Sequence, residues 1–187
     1  MCTHKIPNCN FEPYCTLCGF FYGIPFNARH VVKFNPVDKS LTEIGPDLGE
    51  GEGKWSCGVL ANTGSIYCAP HFADHILKID TIQGTVETLN DVELPEETGD
   101  ALWASGALAT DNYIYYMPCN ARRIMRLNPD NDTLSSVGDD LGGDECKYSE
   151  TVVGNDDCVS IEERRECRRQ THLQNSTIFP RFRPVEI

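Results

Sequence analysis

The chain has 187 residues, 40% of them hydrophobic and 24% charged, which is an ordinary composition for one folded core. Its formal net charge of −12 is uneven: residues 1 to 160 carry 24 acidic and 10 basic side chains, residues 161 to 187 carry 4 and 6. An acidic body argues against nucleic acid and anionic membranes as partners, because phosphate recognition needs a basic face.

In chain order, residues 1–18 form a cysteine-containing segment. Met1 is followed by CTHKIPNCNFEP, which lacks the apolar centre of an export signal, and no run approaches about 18 apolar residues. A cytoplasmic location is the expectation. Cys15-Thr16-Leu17-Cys18 has the tight-turn spacing of a zinc-binding thiolate pair, and Cys9 would be a third ligand, with Cys2 and His4 nearby. A second such pair is missing. The alternative is that Cys9, Cys15 and Cys18 are cysteines of an incomplete first repeat. The chain has ten cysteines in all, and they do not recur at repeat positions: Cys57 aligns with Ser105, Cys68 with Tyr116 and His71 with Cys119. A disulfide framework built into the repeat would have duplicated with it, so reduced thiols are expected.

Residues 19–160 are repetitive. The stretch from Trp55 to Leu89 returns, loosely copied, from Trp103 to Val137, and an ungapped comparison at a spacing of 48 gives ten identities. Chance would give about two. They include Trp55 with Trp103, Gly58 with Gly106, Ile66-Tyr67 with Ile114-Tyr115, Pro70 with Pro118 and Ile76 with Ile124. A partial copy lies upstream in FYGIPFNARHVVKFNPVDKSLTEIG, whose Tyr22, Pro25, Ala28 and Val31 precede their counterparts by 45 residues. Another starts at Tyr148 and fades after Val159.

Within a repeat the apolar runs are short, rich in β-branched and aromatic residues, and bounded by turn residues, which predicts strands. Four fit the copy headed by Trp55: CGVLA up to the turn Asn62-Thr63-Gly64, SIYCAP ending at Pro70, ILKID after the connection His71 to His75, and TVETL after Thr81 to Gly84. Short connections make them an antiparallel meander. The third strand is apolar on both sides at its start, with Val31, Ile76 and Ile124 on the side of Lys33, Lys78 and Arg126. A sheet buried on both faces must lie between other sheets. Four strands per 45 to 48 residues is the pattern of a β-propeller blade. The fold class expected is all-β: a partial or small propeller of about three four-stranded antiparallel blades with a divergent C-terminal tail. Some thirteen strands are expected: three before Trp55, four in each full copy and two after Tyr148.

The segments GVLANTGSIYCAPHFADHILKIDTIQGTVETL and YIYYMPCNARRIMRLNPDNDTLSSVG resemble blades of the NHL, streptogramin-lyase and senescence-marker-protein/gluconolactonase class. Lys54-Trp55 and Tyr22-Gly23-Ile24-Pro25 resemble the Lys-Trp and Gly-x-Ile-Tyr-x-Ile-Pro signature of uncharacterised repeat arrays of single-celled eukaryotes. The Trp-Asp pair of WD40 blades is missing, and the blades are fewer than the four to eight of typical closed propellers. An open blade face would leave several hundred Å² of apolar surface in water, on the order of 10 kcal/mol at about 25 cal/mol per Å². Self-closure, a homo-oligomer or further blades would cover it. Residues 161–187 break the pattern and are expected to be a charged, flexible tail, with one short helix from Glu162 to Gln170 as an option.

The recurrent turn Asn27-Ala28-Arg29, Phe72-Ala73-Asp74 and Asn120-Ala121-Arg122 is the expected binding surface, with Asn27, Arg29, Asp74, Asn120 and Arg122 as its candidate residues. His71 and His75 flank this turn, and are expected as solvated loop residues. Asp139, Asp140, Asp144 and Glu145 around Gly142-Gly143 would offer oxygen ligands to calcium but lack an EF-hand register, so a polar loop is the preferred reading. No catalytic residue is assigned, and no cofactor is expected beyond the zinc and calcium options. The expected function is a non-enzymatic scaffold for a protein or small-molecule ligand. The alternative, which the resemblance implies, is a metal-dependent lactonase or lyase with its metal on the propeller axis.

Overall fold

The computed structural model describes residues 19–94 and 100–154. The chain divides into two units, Met1–Val153 and Gly154–Ile187, and of the second only Gly154 is described. Cys9, Cys15 and Cys18 and the tail after Gly154 lie outside the described residues. Among the described residues every regular element is a β-strand, and no helix is long and apolar enough to cross a membrane.

Eleven strands form three antiparallel sheets in chain order. The first blade holds β1 (Phe21–Gly23), β2 (Val31–Phe34) and β3 (Leu41–Ile44). The second holds β4 (Val59–Leu60), β5 (Ser65–Cys68), β6 (Leu77–Asp80) and β7 (Thr85–Thr88). The third holds β8 (Trp103–Leu108), β9 (Ile114–Pro118), β10 (Ile124–Asn128) and β11 (Thr133–Val137). Each strand pairs with its neighbours in sequence, as short turns dictate. Left-handed turn positions lie where the repeat predicts them, at Gly64 (φ 88), Gly84 (φ 73) and Asp132 (φ 58). Lys39 (φ 62) holds the same place in the first blade. The expected first strand of the second blade shrinks to Val59–Leu60, and pairing resumes at an isolated bridge between Trp55 and Pro70. Of the two strands expected after Tyr148, none falls within residues 148–154.

Adjacent blades pack face to face. Ile79, Leu77, Cys68 and Val86 of the second blade are buried with Val31 and Trp55, and Tyr22, Ile24 and Ile44 of the first blade pack against them. On the other side Val59, Tyr67 and Ile76 share a core with Trp103, Ile114, Tyr116, Met125 and Leu127 of the third. Innermost strands β4 and β8 lie near one another, so the sheets stack side by side as blades of a partial propeller. This packing explains the two-sided burial of β6. A polar link crosses the same junction: Tyr67 Oη donates to Asp132 Oδ1 (2.6 Å), Lys78 Nζ donates to Asp132 Oδ2 (2.6 Å), and Tyr116 Oη donates to the Tyr67 carbonyl (2.8 Å).

Candidate functional site

The recurrent turns lie at one end of the blades, where each chain crossover meets its neighbour. The Lys54 carbonyl accepts from His71 N (2.9 Å) and Ala73 N (3.2 Å), and the Leu102 carbonyl accepts equivalently from Cys119 N (2.8 Å) and Ala121 N (3.2 Å). Trp55 Nε1 donates to the His75 carbonyl (2.8 Å), and Trp103 Nε1 to that of Arg123 (3.3 Å). The repeated tryptophans thus fasten each crossover to the turn that follows it.

In the first and third blades the turn is locked further. Asn27 Oδ1 accepts from Gly53 N, and Asn120 Oδ1 from Cys146 N, both at 2.8 Å. Arg29 binds the Asp47 carboxylate and reaches Glu50 Oε1 (2.8 Å), while Arg122 Nε donates to Asp140 Oδ2 (3.0 Å). Asp47 and Asp140 each also accept the amide two residues on, Gly49 N (2.9 Å) and Gly142 N (2.8 Å). Arginine donation first, and that amide second, hold both carboxyls below the usual carboxylate range. The described groups of Asn27, Arg29, Asn120 and Arg122 are therefore engaged within the chain. So is Asp140, a carboxylate of the calcium option. Among the described residues no three His, Cys, Asp or Glu side chains converge as a metal-holding group.

The second blade differs. Phe72 stands where the other turns have Asn, and Asp74 where they have Arg. Phe72 lies against Gly53, whose φ is +64; a Cβ there would sit 2.4 Å from Phe72 Cδ2, so only glycine admits the ring. His71 and His75 are half-buried. The His71 ring meets Phe72 edge-on with centroids 4.9 Å apart and lies within 3.3 Å of the Trp103 carbonyl through Nδ1. The expected solvated histidine is a packed one, because the neighbouring blade closes over it.

Beside this turn runs a groove of about 280 Å³, lined among others by Glu50, Glu52, Lys54, Trp55, Phe72 and Asp74. Lys54 is buried and its ammonium donates to the carbonyls of Gly51 (3.2 Å) and Gly49 (3.3 Å), so its charge is turned away from solvent. Glu52, Asp74 and half-exposed Phe72 are left at the rim, while Glu50 beside them is paired with Arg29. A second groove, of about 320 Å³, lies among the turn residues Asn62, Thr63, Asn112, Pro129 and Asp130 and has no aromatic wall.

Of the candidate residues, the groove takes in Asp74. Absent from the candidate binding residues are Asp47 and Asp140, the latter named only as a calcium option, and the groove-lining Glu52 and Phe72, the latter named only as a member of the recurrent turn. A comparison at a spacing of 93 would have found the first two: it aligns Asn27, Arg29, Asp47, Leu48, Gly49, Lys54 and Ser56 with Asn120, Arg122, Asp140, Leu141, Gly142, Lys147 and Ser149.

No protein family and no curated protein matches the chain. Solved structures similar to it include a streptogramin B lyase, at 17% identity and a TM-score of 0.49 over 63% of this chain and 36% of that one. Virginiamycin B lyase from Staphylococcus aureus is 14% identical with a TM-score of 0.49, over 72% of this chain and 43% of that one. Hydrazine synthase of Kuenenia stuttgartiensis is 11% identical with a TM-score of 0.48, over 66% and 34%. The chain spans less than half the length of each.

Proposed function

We infer that this chain is a non-enzymatic propeller scaffold, with blades of the NHL, streptogramin-lyase and senescence-marker-protein/gluconolactonase type. It takes a positively charged small molecule or protein segment in the groove beside Asp74. The observation that carries this reading is the groove itself, in which carboxylates and a half-exposed aromatic ring stand around a concavity while the one lysine is turned inward. Such a rim attracts cations by charge, and an aromatic face adds to the attraction once water is displaced. The locked turns of the first and third blades favour a pre-formed site, which lowers the ordering cost of binding.

Titration with choline and with an arginine-rich peptide, followed by NMR, tests the reading. Shifts centred on Phe72 and Asp74, weakened in Asp74→Asn and Glu52→Gln, are the expected result. Equal binding by those variants, or equal binding of a glutamate-rich peptide, would refute it.

A further inference from the structure

We propose that a second copy of this chain completes the ring, the first blade of each copy docking on the third blade of the other. This goes beyond the binding role of the groove. The first ground is repeat register. Phe21, Val32, Phe34 and Leu41 occupy in the first blade the places that Ile66, Leu77, Ile79 and Val86 occupy in the second, and Ile114, Met125, Leu127 and Leu134 in the third. In the later blades most of these residues are buried beneath the preceding blade. In the first, Phe21 and Leu41 are each 64% exposed, and Phe21 and Phe34 face each other with centroids 6.2 Å apart. The first blade thus displays a face of the kind that its siblings bury.

The second ground is the other end. After β11 the crossover repeats that of the first blade: Leu141 N donates to the Arg122 carbonyl (2.8 Å) as Leu48 N does to Arg29 (2.7 Å), and Lys147 N to Cys119 (2.9 Å) as Lys54 N does to Phe26 (2.8 Å). The chain from Tyr148 therefore enters the place of a next innermost strand, and Thr151 Oγ1 lies 2.6 Å from Ser105 Oγ of β8. Val152 aligns with buried Val59 yet is 88% exposed. One end of the described chain offers the start of an innermost strand, with no sheet behind it among the described residues. The other offers β1, β2 and β3, equivalents of the second to fourth strands of a blade, and no innermost strand among the described residues. Two copies, head to tail, satisfy both ends at once and make six blades, within the range of closed propellers.

Charge distinguishes this junction from the internal one. Between the second and third blades Asp132 receives Tyr67 and Lys78. Tyr115 and Arg126 stand in those places on the open face of the third blade, but the first blade brings Lys39 where Asp132 would be. The closing junction sets like charges together and is the weaker of the two, so the ring opens before its blades unfold.

Mass measurement of the full chain over a dilution series reads this directly. The expected species at high concentration is about 42 kDa, twice the 20.9 kDa of one chain, dissociating on dilution. Phe21→Glu gives a monomer. Lys39→Asp tightens the dimer about tenfold, restoring the acid found at Asp132. Ile82→Glu, an exposed change off both end faces, leaves the mass unaltered. A monomer at every concentration, as closure within one chain would give, overturns the proposal. So does a dimer that ignores Phe21→Glu or that Lys39→Asp weakens.

Discussion

Replacing Asp132 tests whether the blades are held by the packing described. Its carboxylate bridges two residues of the neighbouring blade, receiving Tyr67 Oη and Lys78 Nζ, each at 2.6 Å. Side-chain exposures of 19% for Lys78 and 28% for Asp132 place the ion pair between a solvent-screened surface bridge and a buried one. Asp132→Asn keeps an acceptor for Tyr67 and tolerates φ 58, so it loses mainly the ion pair, about 1 kcal/mol. Asp132→Ala also removes a hydrogen bond to a charged group, about 1.5–3 kcal/mol, and places a Cβ residue without a local partner at positive φ, about 1 kcal/mol. The Pro129 carbonyl, 3.2 Å from Tyr67 Oη, offsets part of the loss, leaving about 3 kcal/mol in all. Urea unfolding midpoints measure both variants, and a double-mutant cycle with Lys78→Met should return a coupling of about 1 kcal/mol. An Asp132→Ala protein within about 0.5 kcal/mol of the parent would mean that the second and third blades do not meet through this link.

Gly106→Ala should destabilise by about 1–3 kcal/mol in the same assay, because the new Cβ would lie 2.4 Å from Cδ1 of Tyr116, a fully buried ring whose hydroxyl is tied to the Tyr67 carbonyl. Asp47 and Asp140 have folded pKa values below the unfolded carboxylate value, so their contribution is complete above that value and is lost as pH falls through the folded one. Protection factors of the Gly49 and Gly142 amides, which donate to these carboxylates, should fall over that acid window once the intrinsic slowing of exchange in acid is divided out, and at higher pH for Gly49 in Arg29→Gln. All four described cysteines are free, and burial pushes the Cys57 thiol up to about 11, so alkylation near neutral pH should modify exposed Cys146 well before Cys57 or Cys68, as mass spectrometry of digests would show.

The blade pattern was legible because its causes are local. Alternation in Ser65–Cys68 and Leu77–Asp80, and turn residues such as Gly64 and Gly84, act over a few positions and recur at 45 to 48 residues. Two-sided burial of β6 was legible for the same reason, and it implied neighbours on both faces before any neighbour was located. The turn locks were not, since Arg29 and Asp47 are 18 residues apart and the motif skips the second blade, so it recurs at 93 rather than 48. Nor was the left-handed Lys39, a residue type without turn preference that Asn35 and Asp38 support by accepting the amides of Val37 and Ser40. The groove depends on which crossover lies against which turn, and a one-dimensional pattern does not carry that.

The exception in the second blade ties these observations together. A lock needs Asn, Arg and a downstream Asp at once, since any one alone leaves a charge or an amide without its partner. In the second blade all three are absent together: Phe72 and Asp74 replace the turn residues, and the chain after Leu89 runs Asn90-Asp91-Val92-Glu93 in place of the Asp-Leu-Gly that Arg would reach. Removing the whole set leaves no stranded group, so the turn keeps its backbone bonds to Gly53 and Lys54 while Phe72 and Asp74 take no part in a polar lock. Phe72 and Asp74 are thus the members of the three-fold repeated turn whose chemistry is not consumed by such a lock, and they are the ones that border the acidic groove. Restoring the first-blade residues with Phe72→Asn and Asp74→Arg would place a cation at the rim without a downstream Asp to neutralise it. The double variant should fold with the parent's circular dichroism spectrum and lose choline binding. Retained binding would move the site away from this turn.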